Sequence, residues 1–344
     1  MTNANPTAPR VLVTGGTGCI GSSTVRWLID LGAAEVIATS RAAQPGSLPL
    51  WFESWPQPRV RVAALDLADG AAIDRLMREH APTHVVHLAA FQTPDCEANP
   101  LGGMDVNVGG TLRLLEAARR AEPRVHRFVF ASSAAVYGLR SRYPGPTVRE
   151  SDPLAPVNLY GVWKLASEEL VRLFHERHGL DAISLRLNTT YGKGRDRGAT
   201  SGVTRAMKCI AVGAAHGKSI PLRMAYGGRE NYHFAGDVGA AFARAALDPF
   251  RGHAAFNLRG CTVPVAEFLQ RIASAAEALG MAAHVDLGIQ DGARDNPFVC
   301  DLDETAILRA FPSMPRTALE DGVRRSLQDF AAMARAGSLT VDGN

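Results

Sequence analysis

Cysteine is scarce in this chain and scattered. The five present (Cys19, Cys96, Cys209, Cys261 and Cys300) are odd in number and form no Cys-x-x-Cys pair. That argues against a disulfide scaffold or a zinc site and suits reduced thiols in a cytoplasm. Long apolar runs are missing too, and the opening MTNANPTAPR lacks a basic-then-apolar leader pattern. Flexible tails over residues 1–9 and 336–344, no membrane partner and a cytoplasmic location are the expectation. Charge of one sign is also lacking. With 37 Lys and Arg against 34 Asp and Glu, the net +3 gives no reason to expect a nucleic-acid partner. The basic stretch AARRAEPRVHR reads as the solvated face of a helix and its exit. The HERH at His175–His178 has no obvious carboxylate or cysteine partner and reads as surface, so no metal is expected.

What is present is ordinary globular composition, 46% hydrophobic over 344 residues, enough for one large or two closely joined domains. RVLVTG is a short apolar strand ending in Gly, followed by a helix over CIGSSTVRWLIDLG closed by Gly32. EVIATS, RVRVAALD, THVVHLAA, RFVFASS and AISLRLN read as further strands. Helices are expected near 70–80, over 106–121 and from the YGVWK segment through Arg177. Strands alternating with helices specify an α/β fold with a doubly wound parallel sheet, whose ligands bind beyond the carboxyl ends of the strands. After Asn188 the rhythm changes to a basic, Gly-rich loop, a helix near 203–216, a strand-like SIPLRM and helices near 265–279 and 318–334. The spacing therefore divides the chain into a dinucleotide-type domain over 10–187, with a returning segment near 229–260, and a smaller lobe over 188–228 and 261–335.

VTGGTGCIG satisfies G-x-G-x-x-G through Gly16, Gly18 and Gly21, and G-x-x-G-x-x-G through Gly15, Gly18 and Gly21. It follows the first strand and opens a helix, the setting in which backbone N–H groups receive a pyrophosphate. The second strand ends in Ser40 and Arg41 with no carboxylate for ribose hydroxyls, which favours NADP over NAD. Asp66 closes the third strand, where it can accept from an adenine amine. Farther on, LYGVWKLASEE places Tyr160 and Lys164 four residues apart on one helix face. A nearby cation favours a phenolate, which suits taking a proton from an alcohol.

The motifs TGGTGCIG, LDL, VVHLAA, DVNVGGT, FASSAAVYG, YGVWK and LRLNTTYG stand in the order found in the extended short-chain dehydrogenases/reductases, which include the NAD-dependent epimerases and dehydratases, and over about residues 10–330 the chain resembles that group. The resemblance implies a Rossmann-type sheet with a smaller C-terminal substrate-binding lobe. It makes Tyr160 the acid/base, with Lys164, Ser133 and Asn107 as its catalytic companions. Cofactor contacts are implied at Gly15, Gly18, Cys19, Ile20 and Gly21 in the loop, and at Ser40, Arg41, Asp66 and Leu67 beyond the second and third strands. Others are implied at His87, Leu88, Ala89 and Ala90 after the fourth strand, and at Ser132, Tyr160, Lys164 and Asn188. Substrate contacts fall on Ser133, Asn188, Arg195 and Arg229. A homodimer through the helix after the fourth strand and the YGVWK helix is also implied, with Leu112, Leu115 and Leu165 as apolar candidates.

Two departures narrow the reaction. Where the family's 4,6-dehydratases carry an Asp–Glu pair, this chain has Ala134 and Ala135, which cannot shuttle protons. Where sugar-nucleotide enzymes place a diphosphate-clamping Arg, counting back from Asp237 reaches Glu230, with Arg229 one residue off and Arg294 a loose match for a second clamp. Lys193, Arg195 and Arg197 remain as an anion-holding cluster or a solvated turn. The expectation is an NAD(P)-dependent oxidoreductase acting on a carbohydrate-type hydroxyl or keto carbon. A nucleotide-sugar epimerase is the alternative, and a non-catalytic NADP-binding sensor a second.

Overall fold

The computed structural model describes residues 8–42, 58–195, 198 and 200–341. Arg197, residues 1–7 of the expected first tail and 342–344 of the second lie outside the described residues. Seven strands form one sheet: β1 (Arg10–Thr14), β2 (Glu35–Ser40), β3 (Val60–Ala64), β4 (His84–His87), β5 (Arg127–Ser133), β6 (Asp181–Leu187) and β10 (His253–Asn257). Their order is β3-β2-β1-β4-β5-β6-β10, and every pairing is parallel. The chain reverses direction across the sheet between β1 and β4, which opens a crevice at their carboxyl ends.

Side chains alternate across β1 and so feed two separate cores. Val11 and Val13 pack with Val25, Leu28 and Ile29 of α1 (Cys19–Asp30), while Leu12 packs on the opposite face. That second face is covered by α2 (Gly70–His80), α3 (Gly110–Arg120) and α4 (Leu159–His178), through Ile73, Leu114, Leu115, Val171 and Phe174. The helix expected over 106–121 is broken by one π turn at Asp105–Gly109 before α3 begins. Gly32, at φ +98°, follows the last turn of α1.

The small lobe contains β7 (Thr189–Tyr191), α5 (Gly202–Ala215), β8 (Leu222–Gly227), β9 (Arg229–Phe234), β11 (Cys261–Pro264), α7 (Val265–Ala278), β12 (Leu287–Asp295) and α8 (Leu319–Arg335). Strands β11-β9-β7 form one sheet and β12-β8 a second. Their core is Val203, Met207, Phe268, Leu327 and Phe330. Between β9 and β11 the chain returns to the large sheet as α6 (Ala235–Leu247), packed against α1, and then β10. The spacing put β9 with that returning segment, but it pairs within the lobe. Ile307 and Phe311, from the expected lobe, join the core of the large sheet instead.

Three more expectations are corrected. Arg127, assigned to a solvated helix exit, is 7% exposed and donates to the carbonyls of Ala245 and Phe250. It begins a central strand, and its guanidinium turns to carbonyls of α6 and of the loop before β10 instead of to solvent. Leu115 is fully buried and Leu165 packs inward. Of the three apolar candidates only Leu112 is exposed, together with Leu101, Met104 and Val162.

Candidate active site

The glycine loop forms the floor of the crevice. Gly15 has φ +67°, and a Cβ on Gly21 would sit 2.0 Å from the Gly15 carbonyl. The loop therefore folds back on its own helix in a way only glycine permits. Gly18 N donates to Gly15 O at 3.0 Å and opens α1, leaving a backbone cradle of the kind a pyrophosphate occupies. Cys19 and Ile20 begin that helix. Ile20 also packs on the core, and Cys19 donates through its thiol to Lys193 O at 3.3 Å. Gly194 presses on Cys19 from the same loop, so the Gly-rich segment after β7 lies over the helix's first turn.

Ser40 ends β2, and Arg41 extends its guanidinium over the Phe91 ring, 5.2 Å from the centroid. Asp66 is exposed and accepts from Ala68 N at 2.9 Å. The Leu67 side chain lies under Gly110, away from the crevice. Leu88 and Ala89 donate their N–H groups to Thr14 Oγ1, and Ala89 stands against Gly15. Ala90 follows on the same partly exposed edge.

His87 does not reach that edge. It is 1% exposed, bridging Thr14 Oγ1 (2.7 Å) and Thr111 Oγ1 (3.0 Å). Thr111 already donates to Asn107 O, so it accepts from Nε2–H, and Thr14 donates to Nδ1. Burial, reinforced by the Lys164 charge, draws its pKa down to about 3. A permanently neutral His87 thus ties β1 and β4 to α3, a structural role in place of the expected cofactor contact.

Asn107 is likewise a positioning residue. Its amide accepts from Phe91 N (2.7 Å), donates to Phe91 O (3.0 Å) and lies 3.5 Å from Cys96 Sγ. With both amide ends engaged, it holds the exit of β4. The π turn supplies this geometry, and Ser167 of α4 donates to the Asn107 carbonyl.

At the neighbouring strand end, Ser132 and Ser133 point in opposite directions. Ser133 opens toward Tyr160, accepts from Ala135 N at 3.1 Å and donates to Leu187 O at 3.5 Å, and it draws the phenol's pKa down. Ser132 turns inward, is 1% exposed and donates to Glu168 Oε2 at 2.6 Å, so it does not contact a cofactor. Glu168 pairs in turn with Arg186, which donates to the Tyr137 hydroxyl at 2.7 Å. The sequence reading passed over this pair. Its signals were an Arg inside the apolar strand AISLRLN and a Glu one turn beyond Lys164.

Tyr160 and Lys164 do share a face of α4. Asn158 caps the helix by accepting from Gly161 N at 2.8 Å. Gly161 lets the first turn approach the turn that follows β5, since a Cβ there would meet the Ala135 carbonyl at 2.6 Å. Lys164 is 3% exposed and donates to Ala131 O at 2.7 Å. Its ammonium lies 5.6 Å from the Tyr160 ring centre, and burial lowers its pKa to about 8.

The phenol differs from expectation. Burial raises its pKa, with the Ser133 hydrogen bond and then the Arg195 charge pulling it down. The Lys164 ammonium is engaged by a backbone carbonyl while it lies over the Tyr160 ring, and the Arg195 charge also favours the phenolate.

Of the remaining expected contacts, Asn188 donates from its backbone to His233 Nε2 and from its side chain to Val299 O, so it braces the lobe. Arg229 faces outward and pairs with Asp301 at 3.1 Å. Among the described residues, no three His, Cys, Asp or Glu side chains converge as a metal site, and no helix is long and apolar enough to cross a membrane. A groove of about 340 Å³ among α5, α7 and α8, lined by Ala211, Met281 and Gln328, shares no residue with the crevice.

Comparison with known proteins agrees with this geometry. The chain is 35% identical over 231 residues to the UDP-glucose 4-epimerase of Azospirillum brasilense, a match covering 64% of this chain and 61% of that protein, about three-fifths of its length. It is 27% identical over 335 residues to the dTDP-glucose 4,6-dehydratase of Neisseria gonorrhoeae, covering 92% and 94% of the two chains. The solved UDP-glucose 4-epimerase of Thermus thermophilus in complex with NAD superposes with a TM-score of 0.75 at 28% identity, covering 93% of this chain and 98% of that one. Residues 11–258 match the model of the NAD dependent epimerase/dehydratase family, and the chain belongs to that family.

Proposed function

We propose that this protein is an NAD(P)-dependent oxidoreductase that moves hydride between nicotinamide and a carbohydrate-type hydroxyl or keto carbon. The observation that carries this is a phenol whose pKa Ser133 draws down and which a buried lysine flanks, at the mouth of a glycine-loop crevice. A cradle that any Cβ would fill fits a dinucleotide, which when bound supplies the hydride acceptor or donor. Tyr160 then exchanges the substrate's hydroxyl proton, Ser133 holds the same oxygen, and Lys164 sits as a buried donor beneath them. Incubation with NAD or NADP and a panel of sugars, sugar acids and sugar nucleotides tests the reading, with net change in nicotinamide absorbance expected. The names of the relatives support a second reading, nucleotide-sugar epimerisation, which would interconvert stereoisomers with no net absorbance change. Dehydration is disfavoured even though dehydratases are among the relatives, because Ala134 and Ala135 occupy the turn after Ser133.

Arg41 and the absence of a carboxylate at the end of β2 support NADP over NAD. Arg41→Ala is expected to weaken NADP about tenfold, the value of one charged hydrogen bond, and to leave NAD affinity unchanged in a fluorescence titration. A similar loss for both cofactors would remove the preference. Exposed Leu101, Met104, Leu112 and Val162 support a homodimer through α3 and α4. Light scattering should then give twice the 36.7 kDa chain mass, reverting to one chain in the Leu112→Glu, Val162→Glu double variant.

A further inference from the structure

Tyr160, Lys164 and Glu168 stand one turn apart along a single stripe of α4. Glu168 has no part in the proton exchange described above, yet it carries a charge and is buried. A lone carboxylate at that depth is strongly unfavourable, and here two neighbouring strands supply its donors. Ser132 of β5 donates to Oε2 at 2.6 Å, and Arg186 of β6 donates through Nε to both carboxylate oxygens at 3.2 Å. Arg186 Nη2 adds a bond to Oε1. Ser132 and Arg186 are direct partners in the parallel pairing of β5 with β6. One carboxylate thus grips a cross-strand pair.

Arg186 is itself held from its far side. Its Nη1 donates to the Tyr137 hydroxyl at 2.7 Å and to Glu150 O at 3.2 Å, and that hydroxyl donates to Asn257 Oδ1 at 2.8 Å. The anchor of Glu168 therefore runs through the turn after β5 and into β10. Two other ties of α4 to this end of the sheet are less directional. Lys164 places a rotatable ammonium on one carbonyl, Ala131 O at 2.7 Å, and Gly161 meets the Ala135 carbonyl by packing. Residues 131, 132 and 135 are thereby held against α4, and Ser133 lies within that span.

A buried ion pair adds little net stability over apolar residues of the same shape, so stability alone does not account for it. What it adds is direction. A forked guanidinium and a carboxylate meet in one arrangement, where two apolar side chains could slide past each other. We propose that the Glu168–Arg186 pair is the positioning element of the site, fixing the height and rotation of α4 so that the Tyr160 hydroxyl meets the substrate oxygen held at Ser133. At 3% exposure neither residue reaches a ligand, and both act through Tyr160. Their part in turnover rests on the hydride-transfer reading above.

Two variants test it. Glu168→Leu with Arg186→Met fills the space without direction, and Ser132→Ala cuts the link to β5 while leaving the ion pair whole. Crystal structures of the wild type and both variants with NAD or NADP bound should show the fold kept and the Tyr160 hydroxyl displaced by about 1 Å relative to Ser133. With the sugar, sugar acid or sugar nucleotide that the wild type turns over, kcat should fall about a hundredfold in the double variant and about tenfold in Ser132→Ala. KM and cofactor affinity should stay within about twofold, a split that a pair serving stability alone would not produce in a folded variant. An unmoved Tyr160, or kcat within about threefold of wild type in a folded double variant, would overturn the proposal. If the double variant does not fold, Ser132→Ala decides by the same criteria. If no substrate is turned over, or Tyr160→Phe leaves turnover intact, the hydride-transfer reading fails separately, and the displacement of Tyr160 still decides whether the pair positions it.

Discussion

Tyr160→Phe lowers kcat/KM by about a thousandfold, within the range for losing a positioned acid–base group, and leaves cofactor affinity intact. The hydroxyl removed is the one that responds to Ser133 and is proposed to exchange a proton with the substrate. Burial holds it above the ordinary phenol range, so in this state it is protonated at neutral pH and ready to donate. Reduction of a ketone should therefore proceed on the neutral side, and oxidation of the alcohol should quicken as pH rises and the phenolate grows. Steady-state rates in both directions across pH, with circular dichroism to show an intact fold, measure this. A loss smaller than about tenfold would assign the proton to another group.

Glu168→Ala is expected to destabilise the fold by about 3–5 kcal/mol, the typical result of stranding one partner of a buried ion pair. Glu168 and Arg186 are each 3% exposed, and the carboxylate also receives Ser132. Arg186 would keep Tyr137 and the Glu150 carbonyl but no counter-charge. Replacing both partners, as in Glu168→Leu with Arg186→Met, should recover much of the loss, since the pair's own net contribution is small. Thermal and denaturant midpoints of the single and double variants decide the matter. A single-variant loss below about 1 kcal/mol, the range of exposed pairs, would mean that water reaches the pair.

The order of strands and helices was legible because apolar runs, Gly stops and the glycine loop are local signals. Tyr160 and Lys164 were legible for the same reason, since helix spacing alone puts them on one face. Orientation across a strand was not. Ser132 and Ser133 are equivalent as residue types, and alternation allows only one to face the crevice. His87 and Asn107 are polar residues at the right strand end and π turn, yet their partners, Thr14, Thr111 and Phe91, come from elsewhere in the chain. The resemblance assigned them to ligand where the fold uses them as internal ties. Arg195 and Glu230 lay between these cases. Their charges were visible in the sequence, but the burial of Glu230 and the Gln92 contact of Arg195 depend on how the lobe packs.

The carboxyl on β9 also sets an acid–base balance for folding itself. Burial lifts its pKa from 4.5 to about 7, opposed by its hydrogen bonds to Asn231 and Thr189. Below pH 4.5 the group is protonated whether the chain is folded or not, and it has no effect. Between the two values the unfolded chain gives up a proton that the folded chain keeps, so stability falls as pH rises through this window, by roughly 3 kcal/mol in all, and then levels off. This single side chain therefore makes the lobe sturdier in mildly acidic surroundings than in alkaline ones.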